Sequence, residues 1–177
     1  VRGQFQLQVY QCMPAGHGQL QIAFDQLKAK LLKAGYFDPA HKQPIPSMPS
    51  CVGLITSLDG AALRDLLAVI RARFACVRVI IYPAVVQGVR AVPSLVNAIQ
   101  QAEQHNICDV LILARGGGSL EDLWPFNEEA LVKAVYTCKT PVISGVGHET
   151  DITLCDFVAD QRAATPSAAA ASITCSL

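Results

Sequence analysis

The run Leu111-Ile112-Leu113-Ala114-Arg115-Gly116-Gly117-Gly118-Ser119 decides how this sequence folds. Its first residues are apolar and predict a buried strand, and an arginine and three glycines follow at once. A second run of the same kind is Val142-Ile143-Ser144-Gly145-Val146-Gly147-His148-Glu149-Thr150-Asp151. A buried strand that ends in a glycine-rich loop before a helix is the arrangement that holds phosphate groups, because the loop amides face the anion. Both runs therefore predict strand–loop–helix units of an α/β fold.

Apolar strands and amphipathic helices alternate around these two runs. Strands are predicted over residues 52–56, 77–82, 110–114 and 142–144, and helices over residues 61–74, 94–104, 128–137 and 151–158. Asn127 is the expected N-cap of the third of these helices. The alternation predicts an open, mostly parallel sheet with helices on both faces.

The first fifty residues are expected to lead into this sheet rather than to belong to it. Residues 4–10 alternate apolar and polar side chains, which predicts a half-buried strand. Apolar residues recur at helical spacing over residues 20–31, with Gly35 as the expected stop, and three prolines in residues 43–50 predict a linker. Because the chain begins with Val1 and not with Met, we expect it to be a piece of a longer protein.

Composition excludes some classes of protein. The 177 residues, of which 51% are apolar, are enough for one α/β domain with a full core. Lys and Arg balance Asp and Glu at 14 each, so a nucleic-acid partner requires a local basic patch or another domain. Seven scattered cysteines without a C-x-x-C motif are expected to be reduced thiols of a cytoplasmic protein, not zinc ligands. The longest apolar stretch, over residues 77–86, is too short to span a bilayer, so no membrane is expected as a partner.

Three polar segments are expected to meet at one edge of the sheet. Open parallel sheets bind ligands outside the carboxyl ends of their strands, and residues 56–60, 115–119 and 145–151 fall at such ends. The planar guanidinium of Arg115 suits a phosphate, whereas a glycine triplet without such a residue is as readily a flexible turn. His148 and Asp151 are three residues apart and share a face if a helix begins there. His148 is then a general acid, a general base or a ligand, or alternatively a solvated loop residue.

Other polar and aromatic residues have plainer interpretations. Asp65 lies within an apolar helix, where a surface acid or an ion pair with a neighbouring arginine explains it. Glu121 and Asp122 are interpreted as acids that favour a helix start, with metal ligation as the alternative. Trp124 and Phe126 are interpreted as core or loop anchors, with base stacking as the alternative.

Longer motifs resemble one family. Arg-Gly-Gly-Gly-Ser-Leu-Glu-Asp-Leu-Trp-x-Phe-Asn at residues 115–127, Gly-His-Glu-Thr-Asp at 147–151 and Thr-Pro-Ser-Ala-Ala-Ala at 165–170 are similar to the large subunit of bacterial exodeoxyribonuclease VII. Shorter matches at residues 52–57 and 60–65 extend the resemblance over nearly the whole chain. The resemblance implies a nuclease that degrades single-stranded DNA from either end and leaves 5′-phosphate products.

The resemblance also implies how the chain divides. Residues 1–12 would end an N-terminal OB-fold domain, and residues 13–50 would form a connecting helix and a Pro-rich linker. Residues 51–165 would be the catalytic α/β domain, and residues 166–177 would begin a truncated C-terminal helical region. In the family that region recruits small subunits, so the implied partners are single-stranded DNA and the small subunit, in a hetero-oligomer.

Four residues align with the catalytic residues of the family: Asp65, Arg115, His148 and Asp151. The expected phosphate-binding residues are Gly116, Gly117, Gly118, Ser119 and Gly147. Asp151 either orients His148 or joins Asp65 in holding a divalent metal such as Mg²⁺, and the metal requirement stays open. The alternative function is a non-catalytic module that binds a phosphate or a nucleotide.

The chain departs from the family pattern at three places. Asp59 stands where the family usually has Thr, Ala164 where it has Pro, and Ala171 where it has Glu. An added acid at Asp59 is expected to weaken DNA binding beside the phosphate site, and the role of the acid lost at Ala171 is in question.

Overall fold

A computed structural model describes residues 17–74 and 76–173 of the chain. The strand predicted over residues 4–10, and with it the end of an OB-fold domain, lies outside the described residues. Five strands are described: β1 (Cys51–Thr56), β2 (Arg78–Pro83), β3 (Val110–Arg115), β4 (Val142–Val146) and β5 (Gln161–Arg162). All pair in parallel, in the order β2-β1-β3-β4-β5. The predicted open parallel sheet is confirmed. Strand β5 was not predicted, because its two residues are too few to show a hydrophobic pattern.

Within residues 17–74 and 76–173, seven α-helices surround the sheet. They are α1 (His17–Lys33), α2 (Ala61–Arg73), α3 (Ala91–His105), α4 (Leu120–Leu123), α5 (Glu129–Thr137), α6 (Leu154–Val158) and α7 (Pro166–Ser172). Short 3₁₀ turns cover Pro39–His41 and Trp124–Asn127. Gly35 has a φ of 80° just after α1, so the predicted stop of that helix is confirmed. None of the helices in the described ranges is long and apolar enough to cross a bilayer.

Two apolar layers pack on opposite faces of the sheet. Every residue of β3 is buried, and its side chains divide between the layers. Leu111 and Leu113 join the layer that includes α1, α3, α5 and α6, whereas Val110 and Ile112 join the layer that includes α2 and α7. Helices on both faces therefore explain why this strand is apolar throughout and does not alternate.

Helix α1 packs on the body of the α/β fold. Leu31 is 1% exposed within the first apolar layer. On the surface, the Nζ atom of Lys30 lies 2.6 Å from a carboxylate oxygen of Glu129 on α5. Hydrogen bonds from Lys133 and Lys30 lower the pKa of Glu129 to about 2. A helix that the sequence presents as a connector is thus a component of the folded layer.

The predicted starts of two helices, α5 and α6, are wrong. Helix α5 begins after Glu128, and Asn127 does not cap it. Asn127 is instead buried, and its Oδ1 accepts a hydrogen bond of 2.8 Å from the amide of Leu154, the first residue of α6. That helix was expected to begin at residue 151, but Thr153 caps it and residues 148–153 form a loop. Tertiary contact explains why Asn127 does not cap α5, because the donor that satisfies Asn127 comes from 27 residues further along the chain.

The close approach of α7 to β4 provides a test of this packing. A Cβ atom at Gly145 would lie 2.9 Å from Cβ of Ala169 and 3.2 Å from the carbonyl oxygen of Thr165. Because α7 cannot retreat without opening the second apolar layer, Gly145→Ala is expected to lower the free energy of unfolding by about 1–3 kcal/mol. Urea denaturation followed by circular dichroism measures the change. In Gly18→Ala, the added Cβ meets nothing within 4 Å, so this control should lose no stability, and equal losses in both variants would contradict the packing of α7.

Candidate active site

The strand order creates a crevice between two loops. The chain passes from β1 to β2 on one side of the sheet and returns to β3 on the other side of β1. The loops after β1 and β3 therefore separate, which is where open parallel sheets bind ligands. A cavity of 220 Å³, here called the switch-point cavity, lies at this place. Its lining includes Ser57, Gln87, Arg115, Gly116 and Gly117.

Arg115 is the last residue of β3 and is only 6% exposed. Its Nη1 donates to the carbonyl oxygen of Gly116 at 3.0 Å, and its Nη2 donates to Oε1 of Gln87 at 3.1 Å. Nη2 also lies 3.3 Å from a carboxylate oxygen of Asp122. These contacts fix the guanidinium plane at the cavity. Because the guanidinium has five N–H donors, some of them remain available to bind an anion.

The loop of residues 116–118, here called the glycine loop, lies against two of the predicted site residues. A Cβ atom at Gly117 would overlap the imidazole of His148, and one at Gly118 would overlap the guanidinium of Arg115. At Gly116, by contrast, an added Cβ would meet nothing within 4 Å. The absence of side chains at two of the three glycines therefore brings His148 and Arg115 to opposite sides of one short loop.

His148 and Asp151 interact in a turn and not on a helix. The His148 amide donates to Oδ2 of Asp151 at 2.8 Å, and the Asp151 amide donates to the His148 carbonyl oxygen at 3.0 Å. Nδ1 of the imidazole lies 3.6 Å from the same carboxylate oxygen, and the imidazole side chain is 68% exposed. Gly147 begins the turn with a φ of 76°, a conformation that glycine adopts readily. The predicted helical face is wrong, yet the two side chains meet.

Arg162 on β5 anchors this turn, and no sequence pattern predicted this role. Its Nη2 donates to the carbonyl oxygens of Glu149 at 2.9 Å and Asp151 at 3.0 Å. The acceptors are backbone carbonyl oxygens, which every residue has. No residue type or spacing in the sequence therefore predicts these contacts. Arg162 therefore links the catalytic candidates to a strand that also escaped prediction.

A buried carboxylate supports the other end of the loop. Asp156 accepts a hydrogen bond of 2.6 Å from Oγ of Ser144 on β4. Its second oxygen accepts from the amide and the hydroxyl of Thr153 at 2.7 and 2.9 Å. The spacing Thr153-x-x-Asp156 places an acid at the capping-box position, so this support was recognisable in the sequence. It fixes where the loop after β4 ends.

Asp65 is not brought into contact with the other predicted site residues. It is exposed on α2, and its side chain has no hydrogen-bond or ion-pair partner within the described ranges. Ala61 and Ala62, one turn earlier on the same helix, do line the switch-point cavity. Across residues 17–74 and 76–173, no three His, Cys, Asp or Glu side chains are grouped so that they could hold a metal ion. The arrangement of Asp65 and Asp151 therefore does not fit a preformed metal site.

Ser119 and Asp122 have structural partners beside the glycine loop. Oγ of Ser119 caps α4 by accepting a hydrogen bond of 3.2 Å from the Asp122 amide. The interpretation of Asp122 as a helix-start acid is incomplete, since its carboxylate also pairs with Arg115. Phe126 is fully buried, as expected of a core anchor, and the indole of Trp124 donates to Glu128 at 2.9 Å.

The described cysteines contribute thiols to the core and none to the site. Burial raises the pKa of Cys138 to about 12, and it raises the pKa of Cys155 well above its ordinary value. Thiols with raised pKa values stay protonated at neutral pH and are poor nucleophiles. Cys76 departs from the expected pattern because it is exposed.

Fold and site together define an α/β domain whose ligand crevice lies at the switch point of a parallel sheet. Residues 36–176 match the family described as "Exonuclease VII, large subunit". The "Exodeoxyribonuclease 7 large subunit" of Geobacillus kaustophilus (strain HTA426) is 52% identical to this chain over 168 residues. The chain belongs to the exonuclease VII large subunit family, as the motifs indicated. The aligned region covers 95% of this chain and 38% of that relative, so the chain spans well under half of the relative's length.

The contact between Gly117 and His148 predicts a difference between two neighbouring alanine variants. Neither Gly116 nor Gly117 has a positive φ, so alanine fits both backbones. Gly117→Ala should displace the imidazole of His148 and shift its proton resonances, whereas Gly116→Ala should leave them in place. Both variants should keep the Tm of the parent, because the displaced imidazole turns into solvent. Identical His148 spectra in the two variants would contradict the placement of the glycine loop against this side chain.

Proposed function

We propose that this chain is the catalytic part of an exodeoxyribonuclease VII large subunit. It hydrolyses phosphodiester bonds of single-stranded DNA from either end and gives 5′-phosphate products. The observation that carries the proposal is the glycine loop, which has Arg115 on one side and the His148–Asp151 pair on the other. Membership of the exonuclease VII family supports assigning these groups to phosphodiester hydrolysis.

Arg115 is proposed to bind the scissile phosphate. The guanidinium is buried at the switch-point cavity and is held by Gln87 and Asp122 before any ligand arrives. A donor that is already oriented stabilises the charge that develops on the phosphate oxygens without reorganising during the reaction. The amides of Gly116, Gly117 and Gly118, with those of Ser119 and Gly147, are proposed as further donors to the phosphate.

His148 is proposed to transfer the proton. Its imidazole is exposed, so both water and a bound DNA strand have access to it. It therefore serves as the general base for water or as the general acid for the leaving oxygen. Asp151 orients the imidazole through its contact with Nδ1, and it thereby favours the tautomer that carries its proton on Nδ1 and leaves Nε2 as the acceptor. Asp65 completes the proposed catalytic set from α2, and no step of this mechanism passes through a metal ion.

The partners follow from the same proposal. The chain has equal numbers of basic and acidic residues, so counterion release from Arg115 and a few neighbours supplies only modest affinity for DNA. We therefore propose that further parts of the large subunit and the small subunit hold the strand, in a hetero-oligomer of the cytoplasm. Free thiols at Cys51, Cys108, Cys138 and Cys155 are consistent with a reducing compartment.

A non-catalytic module that binds a phosphate or a nucleotide is the competing function. A preformed arginine and glycine loop suits such a module equally well, whereas an exposed His–Asp pair beside them favours catalysis. The module predicts tight mononucleotide binding without strand cleavage. Release of labelled nucleotides from single-stranded DNA by the full large subunit that contains this chain, assembled with its small subunit, separates the two functions.

Replacing Arg115 tests its role in phosphate binding. Arg115 is buried and paired, so Arg115→Lys preserves charge and volume better than alanine would and removes the planar fork. The expected loss in turnover is about 10²–10³-fold, the usual cost of losing an oriented donor to a transition-state oxyanion. Gel assays on labelled oligonucleotides measure it, with Arg73→Lys on the exposed end of α2 as the control. A variant with most of its turnover would remove Arg115 from the mechanism.

Replacing His148 tests proton transfer through the pH dependence of turnover. In His148→Gln, one limb of a bell-shaped profile should disappear, because the proposed proton-transfer group is gone. The imidazole is exposed, so the Tm should stay close to that of the parent. Rate profiles over pH 5–9 with the small subunit present provide the measurement. A profile that keeps both limbs would assign proton transfer to another group.

A further inference from the structure

A second cavity of 340 Å³ opens beside the catalytic candidates, between α1, the glycine loop and the segment that leads into α6. Gly118 and Asp151 belong to its wall, whereas Gly116 and Gly117 line the switch-point cavity with Arg115. The glycine loop is therefore the partition between the two cavities. A group in the second cavity lies one short loop away from the proposed position of the scissile phosphate.

Two aromatic side chains line the second cavity. Phe24 from α1 and Phe157 from α6 are half-buried and line it. Ile152 also lines it and is 50% exposed, which is high for a large apolar side chain. Aromatic faces of this kind bind the bases of single-stranded nucleic acids without sequence preference, because every base has a π-face.

Lys28 places a cation in the same cavity. Its Nζ lies 4.3 Å from the ring centroid of Phe157 and 5.9 Å from that of Phe24. Lys30 and Lys133 each pair with Glu129. Lys28, by contrast, has no carboxylate partner in the part of the chain that the structure describes. An ammonium that contacts two rings, and has no carboxylate partner among the described residues, is available to bind the anionic group of a ligand.

The size of the cavity limits what it takes. A volume of 340 Å³ is at the lower end of the range of about 300–1,000 Å³ for small-molecule sites. The cavity therefore accommodates a ligand the size of one nucleotide and not a longer stretch of strand. Phe24 and Lys28 are one helical turn apart on α1, so a single ligand reaches both.

We propose that this cavity is a subsite for one nucleotide of the substrate strand, the one that flanks the scissile phosphate. Its base lies against Phe24 and Phe157, and its phosphate lies on the ammonium of Lys28. The subsite rests on the proposed nuclease function and adds a role for α1, which no catalytic assignment includes. It fixes the position of the strand relative to Arg115 and His148, and it reads no sequence.

Three probes separate the two contacts of the subsite: dTMP, thymidine and inorganic phosphate. In an NMR titration, dTMP should shift the resonances of Phe24, Lys28 and Phe157. Thymidine should shift the two phenylalanines with lower affinity, because it lacks the phosphate. Inorganic phosphate alone should shift Lys28 and shift the rings less than dTMP does.

Variants on α1 assign each contact. Phe24→Leu keeps apolar volume but loses the ring, so it should weaken the binding of dTMP and thymidine roughly fivefold or more, the low end of base stacking. Lys28→Gln should weaken dTMP by about two- to fivefold, as expected of an exposed ion pair, and leave thymidine unchanged. Lys33→Gln makes the same change of charge on the same helix, outside the cavity, and should match the parent. Circular dichroism confirms that α1 is retained in each variant.

The outcomes for the subsite and for the nuclease function are separate. If dTMP shifts only the neighbourhood of Arg115 and the glycine loop, or shifts nothing at any concentration, the subsite is refuted. Cleavage of single-stranded DNA that Arg115→Lys abolishes would then still support the proposed function. If the full large subunit that contains this chain, assembled with its small subunit, does not cleave a strand at all, the proposed function is refuted, whatever dTMP does at Phe24.

Discussion

The glycine loop is in close contact with His148 and Arg115 because its residues have no side chains. A side chain at Gly117 would occupy the position of the His148 imidazole, and one at Gly118 would occupy the position of the Arg115 guanidinium. Because two strands end side by side at this edge, a loop with bulk would force their terminal side chains apart. The candidate site therefore depends on the absence of side chains at Gly117 and Gly118. The polar contacts of Arg115 and His148 form only because this space is free.

Carboxylates near the strand ends hold the supporting structure in place. Asp109 accepts hydrogen bonds from the amides of Ser50 and Cys51 at the start of β1. Asp160 does the same for Val142 at the start of β4 and also binds the amide of Gln43, in the segment before the sheet. These acids satisfy backbone donors that a short parallel strand leaves open at its first residue. Asp109 and Asp160 are therefore structural acids of the sheet.

Helix α1 shows how a segment outside the α/β alternation becomes part of the site. Leu31 is buried against the first apolar layer, and the ion pair with Glu129 holds its outer side. This docking carries Phe24 and Lys28 to the edge of the sheet where the loops after β3 and β4 lie. The helix thereby contributes one side of the second cavity, whereas the switch-point cavity forms without it.

The sequence by itself determined the parallel sheet, the two faces of helices and the position of the glycine runs at strand ends. These features follow from local apolar periodicity and from the conformational freedom of glycine, both of which are properties of short segments. The family motifs likewise predicted Arg115, His148 and Asp151 as site residues. Only the tertiary structure decided which groups hold these residues in place. Gln87 reaches Arg115 across 28 residues, and Arg162 and Asn127 reach carbonyl and amide groups 11 and 27 residues away. Such contacts depend on the order in which strands are placed side by side, and no local spacing encodes that order.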